Sequence, residues 1–401
     1  MRYRIVLIGV IGIALMVFAF SYVVYGLLFK KKLKNKTWNV IMVIVFILGG
    51  ALLYSPARQY IDSKENRQTT TSHVVEYNGK KIKTEANAKE RLTLPSVYGS
   101  IDATHPSVIS FEEPWHGYRY WMAVTPYPEG KALYENPHVF KSNDLISWVP
   151  DESNPLDEPV SEKFNKNGTP MQYDSDTHII YNKEDKRLEV FWRYVDDVSH
   201  EFIIYRRTSS NGEDWTKKEE IYRADRRKED MLSPAFIKDE DGYKLWYVAD
   251  GYRIWYRESK DGFNWSKPTE VEVPYEVEGM KHWHLDVQPT DLGYEMVVVG
   301  FKSTAENNLS DRHVMNLYYS KSKDNKNWDT LQPIIFPTQN KEGFDGKGLY
   351  RSALLKEDGN YYVFYSGIGY DETRGVSIAT GKDIMNLKGM DFTNYKNLIK
   401  D

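Results

Sequence analysis

The 401-residue sequence contains no cysteine, which excludes a disulfide framework and any thiolate chemistry. It also lacks a strong net charge. At −4 there is no basic field of the kind nucleic-acid binding needs, so nucleic acid is not expected as a partner. Long hydrophobic runs are missing everywhere except near the start. Residues 5–29 carry no charged side chain and as a helix reach roughly 37 Å, enough to cross a hydrocarbon core of about 30 Å. Residues 38–54 form a second uncharged run of roughly 25 Å. Arg2 and Arg4 offer the basic start of a signal peptide, but the run is too long for one and no small-x-small cleavage site follows it. The expectation is a two-helix transmembrane hairpin. Lys30, Lys31, Lys32, Lys34 and Lys36 in its short loop mark the cytoplasmic side, leaving both termini outside. This places the protein in a bacterial cell membrane as a multi-pass protein with its bulk extracytoplasmic. From Pro56 to Thr71 the polar, mixed-charge chain reads as a solvated stalk.

What is abundant is aromatic: 11 Trp and 30 Tyr, suited to filling sheet cores or stacking on sugars. Some of these residues repeat. The turn Ser142-Asn143-Asp144-Leu145-Ile146-Ser147-Trp148 recurs at 209–215, 259–265 and 322–328, with a degenerate copy at 381–387 ending in Leu387. A Ser followed two residues later by Asp or Asn suits a tight turn in which the short side chain bonds nearby amides. Upstream of each copy lie an apolar strand, a polar turn and an aromatic strand, as in Thr177-His178-Ile179-Ile180 leading to Leu188-Glu189-Val190-Phe191-Trp192. About four strands per unit, five units and a period of roughly 60 residues predict an all-β, five-bladed β-propeller. Asn78-Gly79, between His73 and Lys83, signals a separate hairpin with a type I′ turn, and whether it lends a strand to the ring stays open. The expected organisation is 1–55 membrane hairpin, 56–95 stalk and β-hairpin, 96–401 propeller.

The turn from Ser142 to Trp148, its copy from Ser259 to Trp265, and the strand His105-Pro106-Ser107-Val108-Ile109 resemble those of the five-bladed propeller glycoside hydrolases. That superfamily holds the family 43 arabinanases and xylosidases and the levansucrase and invertase groups. The resemblance covers roughly residues 98–387. It implies that the first strand of every blade lines a central funnel, so polar residues at those strand starts converge. The candidates are Asp102 and His105 from blade one, Asp174, Asp176 and His178 from blade two, and Glu229 and Asp230 from blade three. His282, His284 and Asp286 from blade four and Arg351 from blade five complete the set.

Inverting glycoside hydrolysis needs one carboxylate to activate water and a carboxylic acid to protonate the leaving oxygen. The resemblance implies a base Asp in blade one, a supporting Asp in blade two and an acid Glu before a proline in blade three. Asp176 is similar to the supporting Asp. The others depart: His105 stands at the base position with Asp102 three residues earlier, and Leu232 stands at the acid position with Glu229 and Asp230 just upstream. Asp102, His105, Asp176, Glu229 and Asp230 are therefore the catalytic candidates, with His105 or His284 able to exchange protons near neutral pH. Strand alternation puts the His282 and His284 imidazoles on one face around Trp283, which favours a shared substrate site with Asp174, His178, Asp286 and Arg351. The same His pair with Asp286 could hold a metal, but such spacing is a weak signal and no metal ligand set or cofactor is expected; a structural cation in the funnel has no support from spacing. Arg351 could clamp an acidic sugar or phosphate, or pair a funnel carboxylate. The expected partner is a polysaccharide or glycoconjugate, and the expected function is glycosidase action on it. The alternative is a non-catalytic glycan-binding or assembly component of an exopolysaccharide or wall-polymer system.

Overall fold

The computed structural model describes residues 72–158, 161, 163–303 and 312–392. The expected membrane helices at 5–29 and 38–54 and the stalk up to residue 71 lie outside these. Among the described residues no helix is long and apolar enough to cross a membrane.

The chain opens with the predicted hairpin, β1 (His73–Tyr77) and β2 (Lys80–Thr84), turning through Asn78 and Gly79 at positive φ. Five four-stranded antiparallel sheets follow. Blade one holds β3 (Ala103–Trp115), β4 (Tyr118–Pro126), β5 (His138–Ser142) and β6 (Val149–Pro150). Blade two holds β7 (Gln172–Asn182), β8 (Arg187–Asp196), β9 (Glu201–Ser209) and β10 (Glu219–Asp225). Blade three holds β11 (Leu232–Asp239), β12 (Gly242–Ala249), β13 (Arg253–Ser259) and β14 (Thr269–Val271). Blade four holds β15 (Met280–Thr290), β16 (Gly293–Ser303), β17 (Arg312–Ser322) and β18 (Gln332–Ile335). Blade five holds β19 (Gly348–Glu357), β20 (Asn360–Ile368), β21 (Arg374–Gly381) and β22 (Lys388–Gly389). The first strands β3, β7, β11, β15 and β19 each contact the next, and β19 returns to β3, closing a ring around an axis.

Each blade is sandwiched between two neighbours, so its second strand is apolar on both faces. Val190, Phe191 and Trp192 of β8 are all buried, as are Val297, Val298 and Val299 of β16. One apolar cluster fills each interface: Phe191 of blade two, for example, stacks on Phe236 of blade three at 4.0 Å. Each such side chain contributes about 1.5–3 kcal/mol relative to exposure. The repeated turn is the strand connection expected: Asp144 Oδ1 accepts from the amides of Ile146 (2.9 Å) and Ser147 (2.6 Å), and Asp261 and Asp324 do the same in their blades.

The hairpin does not join the ring. β1 and β2 pair only with each other, burying Val75 and Tyr77 against blade four, where Tyr77 lies 5.8 Å from Phe336. Residues 85–92 then run along blade five as a strap. Gly389 donates to the Glu85 carbonyl, Leu92 to the Val376 carbonyl, and Ala88 to the Tyr365 hydroxyl.

Candidate active site

The site is built by a fault repeated in all five first strands. Each carries a β-bulge near its start: Thr104/Ser107, Ser175/His178, Leu232/Ala235, His282/His284 and Tyr350/Ala353. A bulge adds backbone that has no partner in the ladder and re-aims its side chains. His105, Asp176 and Ser233 sit in these bulges at positive φ, and Arg351 occupies the same place in blade five. The bulges break the alternation that a straight strand would impose.

Three of the re-aimed side chains meet. His105, Asp176 and His284 are buried, with donor atoms all within 4.8 Å of one another. His105 Nε2 lies 3.7 Å and His284 Nδ1 3.4 Å from Asp176 Oδ1. His105 Nδ1 is engaged by the Thr125 hydroxyl at 2.7 Å, which leaves Nε2 facing the aspartate without a hydrogen bond. Burial holds the His105 imidazole well below its usual range, with Asp176 only partly opposing, so it is neutral. Burial alone would raise the Asp176 carboxyl, but His105, His284 and Arg351 hold it below the usual carboxylate range. With His105 neutral, the guanidinium of Arg351, 3.8 Å away, is the standing positive charge that keeps it ionised.

Beneath this cluster Arg351 is 0% exposed and ties blades together. Its Nη2 donates to the Pro234 carbonyl at 2.7 Å and to His178 Nδ1 at 3.1 Å. His178 donates from Nε2 to the Phe236 carbonyl, and burial lowers it to about 3. Asp286 lies 3.8 Å from His178 and accepts from the Leu354 amide; burial pushes its carboxyl up to about 6. All three are buried. Arg351 cannot clamp a substrate anion from a fully buried position.

The remaining candidates lie elsewhere. His282 does not share a face with His284, because the bulge at Trp283 intervenes; its Nδ1 meets the Tyr275 hydroxyl at 3.1 Å. Trp283 is packed against Tyr252 and Phe301 in the core rather than offered to a substrate. Asp102 is bound by Arg91 of the strap at 2.5 Å. Asp174, two residues before Asp176, bonds Asn136 at 3.3 Å, and burial raises its carboxyl well above the usual range. Glu229 is held by Arg257 and the Tyr222 hydroxyl, away from the cluster. Asp230 pairs with Arg193 at 2.6 Å.

One carboxyl that inspection of the strand starts passes over does reach the cluster. Glu135, in the connection between β4 and β5, places Oε2 3.6 Å from His105 Nδ1 and is buried. Burial, and next the charge of Asp176, raise its carboxyl well above the usual range. Tyr350 completes the wall, its ring centroid 4.3 Å from that of His284 and 5.2 Å from that of His105.

The donor set fits a divalent ion. Ligands about 2.1 Å from a tetrahedral centre lie about 3.4 Å apart, close to the two separations found here. The buried, unbonded His105 Nε2 is otherwise a costly orphan. Thr125, bonded to the far nitrogen of His105, is the kind of partner that fixes a ligand's orientation.

No family model matches the sequence. A curated relative, the A type blood N-acetyl-α-D-galactosamine deacetylase of Flavonifractor plautii, is 28% identical over 333 residues, covering 69% of this chain and 41% of that protein. The chain thus spans less than half the length of that relative. Among solved structures, an N-acetylgalactosamine deacetylase from F. plautii, in complex with blood group B trisaccharide, superimposes with a TM-score of 0.63 at 22% identity. The match covers 79% of this chain and 97% of that one. A thermostable family-43 glycoside hydrolase matches with a TM-score of 0.52 at 15% identity, over 72% of this chain and 93% of that one. The architecture here is accordingly a five-bladed propeller of the kind seen in those structures.

Proposed function

We propose that this protein is a hydrolase that removes the N-acetyl group from an amino sugar of a polysaccharide or glycoconjugate, using a divalent metal held by His105, Asp176 and His284. The observation that carries the reading is the convergence of those three donors, from the first strands of three blades, with His105 Nε2 facing the others without a hydrogen bond. The F. plautii relatives, whose names describe deacetylation of N-acetylgalactosamine, support it. A divalent ion so held supplies Lewis acidity toward a carbonyl and lowers the pKa of a bound water. The protein's own share is separate. Asp176 brings the only carboxylate of the triad, Arg351 holds it ionised, and Thr125 turns His105 Nε2 inward. Glu135 lies against His105 Nδ1, behind the imidazole and on the side away from the other two donors.

A second reading has its own support. Glu135, whose carboxyl burial raises, and Asp176, whose carboxyl is held low, are two nearby carboxyl groups with opposed shifts, the kind of pairing that glycosidic cleavage uses. We further propose that the uncharged runs at 5–29 and 38–54, with the lysine-rich loop between them, hold the propeller at the outer face of a membrane.

Incubating the full-length chain with a panel of N-acetylated oligosaccharides separates the readings. Deacetylation releases acetate and a free amine, is abolished by chelation, and falls at least about 100-fold in Asp176→Asn. New reducing ends without acetate would instead establish glycosidase action. Binding with neither product would leave the glycan-binding alternative.

A further inference from the structure

The donors of the triad are closed off. His105 Nε2, Asp176 Oδ1 and both ring nitrogens of His284 are buried, and each of the three residues is at most 3% exposed. An ion or an acetamido group reaches them only if something moves. The blades are costly to move, because apolar clusters fill the interfaces between them. The connection between β4 and β5 is different. Ala103 pairs with Pro126, so the chain leaves β4 level with the start of β3, at the end of the blade that carries His105. It then makes two short 3₁₀ turns, Pro128–Gly130 and Ala132–Tyr134, the first packed against β21 of blade five and the second against β7 of blade two. The connection thus reaches across three blades at the end where the triad lies.

It is fastened at its two ends and loosely between them. The Tyr127 amide donates to the Asp102 carbonyl, while Asn136 accepts from the Tyr98 hydroxyl and donates to Asp174. Between these points the amides of Gly130, Lys131, Tyr134 and Glu135 donate within the segment itself, to the carbonyls of Tyr127, Pro128, Lys131 and Ala132. No residue from Pro128 to Tyr134 is buried. A stretch with so few buried contacts opens at far lower cost than the blades beside it. Its hold on blade five is light: the Gly130 position faces Glu372, and Arg374 lies over the Tyr127 ring at 5.2 Å. That ring borders the triad. After burial itself, Glu135 and Tyr350, both set against His105, are the neighbours that most disfavour a charge on its hydroxyl. We propose that residues 128–134 form a gate that swings off blade five about its fixed ends at Tyr127 and Asn136, carrying the Tyr127 ring with it, to admit the metal and the acetamido group to the triad. The assignment rests on the metal-dependent reading above.

The chain has no cysteine, so a single pair can be introduced without competition. A Cβ at Gly130 lies 3.6 Å from that of Glu372, inside the span of about 3.5–4.5 Å that a disulfide bridges. The test is Gly130→Cys combined with Glu372→Cys in the full-length, metal-stripped protein, closed with diamide or a methanethiosulfonate bridge and reopened by reduction. Uptake of Mn²⁺ is followed by the loss of the free-ion electron paramagnetic resonance signal. The expected result is uptake at least about tenfold slower in the closed form than in the reopened one, with the same final affinity, and acetate release slowed in parallel. Either single variant, treated the same way, should match the reopened pair. Equal rates in the closed and reopened forms overturn the gate and leave the metal site standing. A closed form with weakened affinity also overturns it, since the segment would then shape the site rather than govern entry, and so does slowing in a single variant. A wild type that binds no Mn²⁺ overturns the metal-dependent reading, and the gate falls with it.

Discussion

At the scale of single residues, the molecule concentrates imidazoles in places where they cannot charge. His138 shows the consequence most cleanly, because it lies outside the triad. It bonds the Asn136 carbonyl through Nδ1, and burial lowers it to about 4. The unfolded chain takes up this proton as pH falls through about 6.5, while the folded chain resists until about 4. Stability from this group is therefore complete above pH 6.5 and is lost as pH falls from 6.5 to 4, by about 3 kcal/mol in total. Urea unfolding of wild type and His138→Asn across pH 7.5 to 4.5 checks this: the difference between them should change over that window and be flat above it. The residue scale is also where sequence reasoning was weakest. His105, Asp176 and His284 were named as funnel residues, but their meeting as a triad depends on bulges that no local pattern announces. Glu135 was missed because its loop, rather than a strand start, delivers it.

The elements, by contrast, were largely legible. The Ser-x-Asp turn and its tryptophan marked one strand connection per blade, and the apolar second strands followed from each sheet being covered on both sides. The hairpin at Asn78-Gly79 formed with the predicted turn, yet its failure to join the ring was not written in its own residues; it is decided by the fit of Val75 and Tyr77 against blade four. The alternation rule misplaced His282 because Trp283 is an extra residue in the ladder. The blade interfaces supply a prediction at this scale. Gly212, in the repeated turn of blade two, has φ of +78°, and a Cβ there would come within 2.1 Å of the Trp121 ring of blade one. Gly212→Ala should cost about 2–4 kcal/mol, from backbone strain plus displacement of a buried indole, and lower the melting temperature by several degrees. A melting temperature equal to wild type would mean that the two blades are not locked at this point.

For the whole molecule, the ring matters because it brings side chains about 180 residues apart in sequence to one point, with the strap at 85–92 fastened across the last blade. The turn repeat identified this architecture, and the departures from the family-43 pattern at His105 and Leu232 already pointed away from the usual pair of carboxylates. What could not be read was which side chains meet, since the geometry of the donors is a property of three dimensions. The account stands on His105, Asp176 and His284 acting together as a metal centre. Titrating purified, metal-stripped full-length protein with Zn²⁺ and with Mn²⁺ by calorimetry tests this most directly. The prediction is one ion bound per chain, with binding abolished in both Asp176→Ala and His284→Ala while each variant remains folded. A wild type that binds no ion, or variants that bind as tightly as wild type, would contradict it.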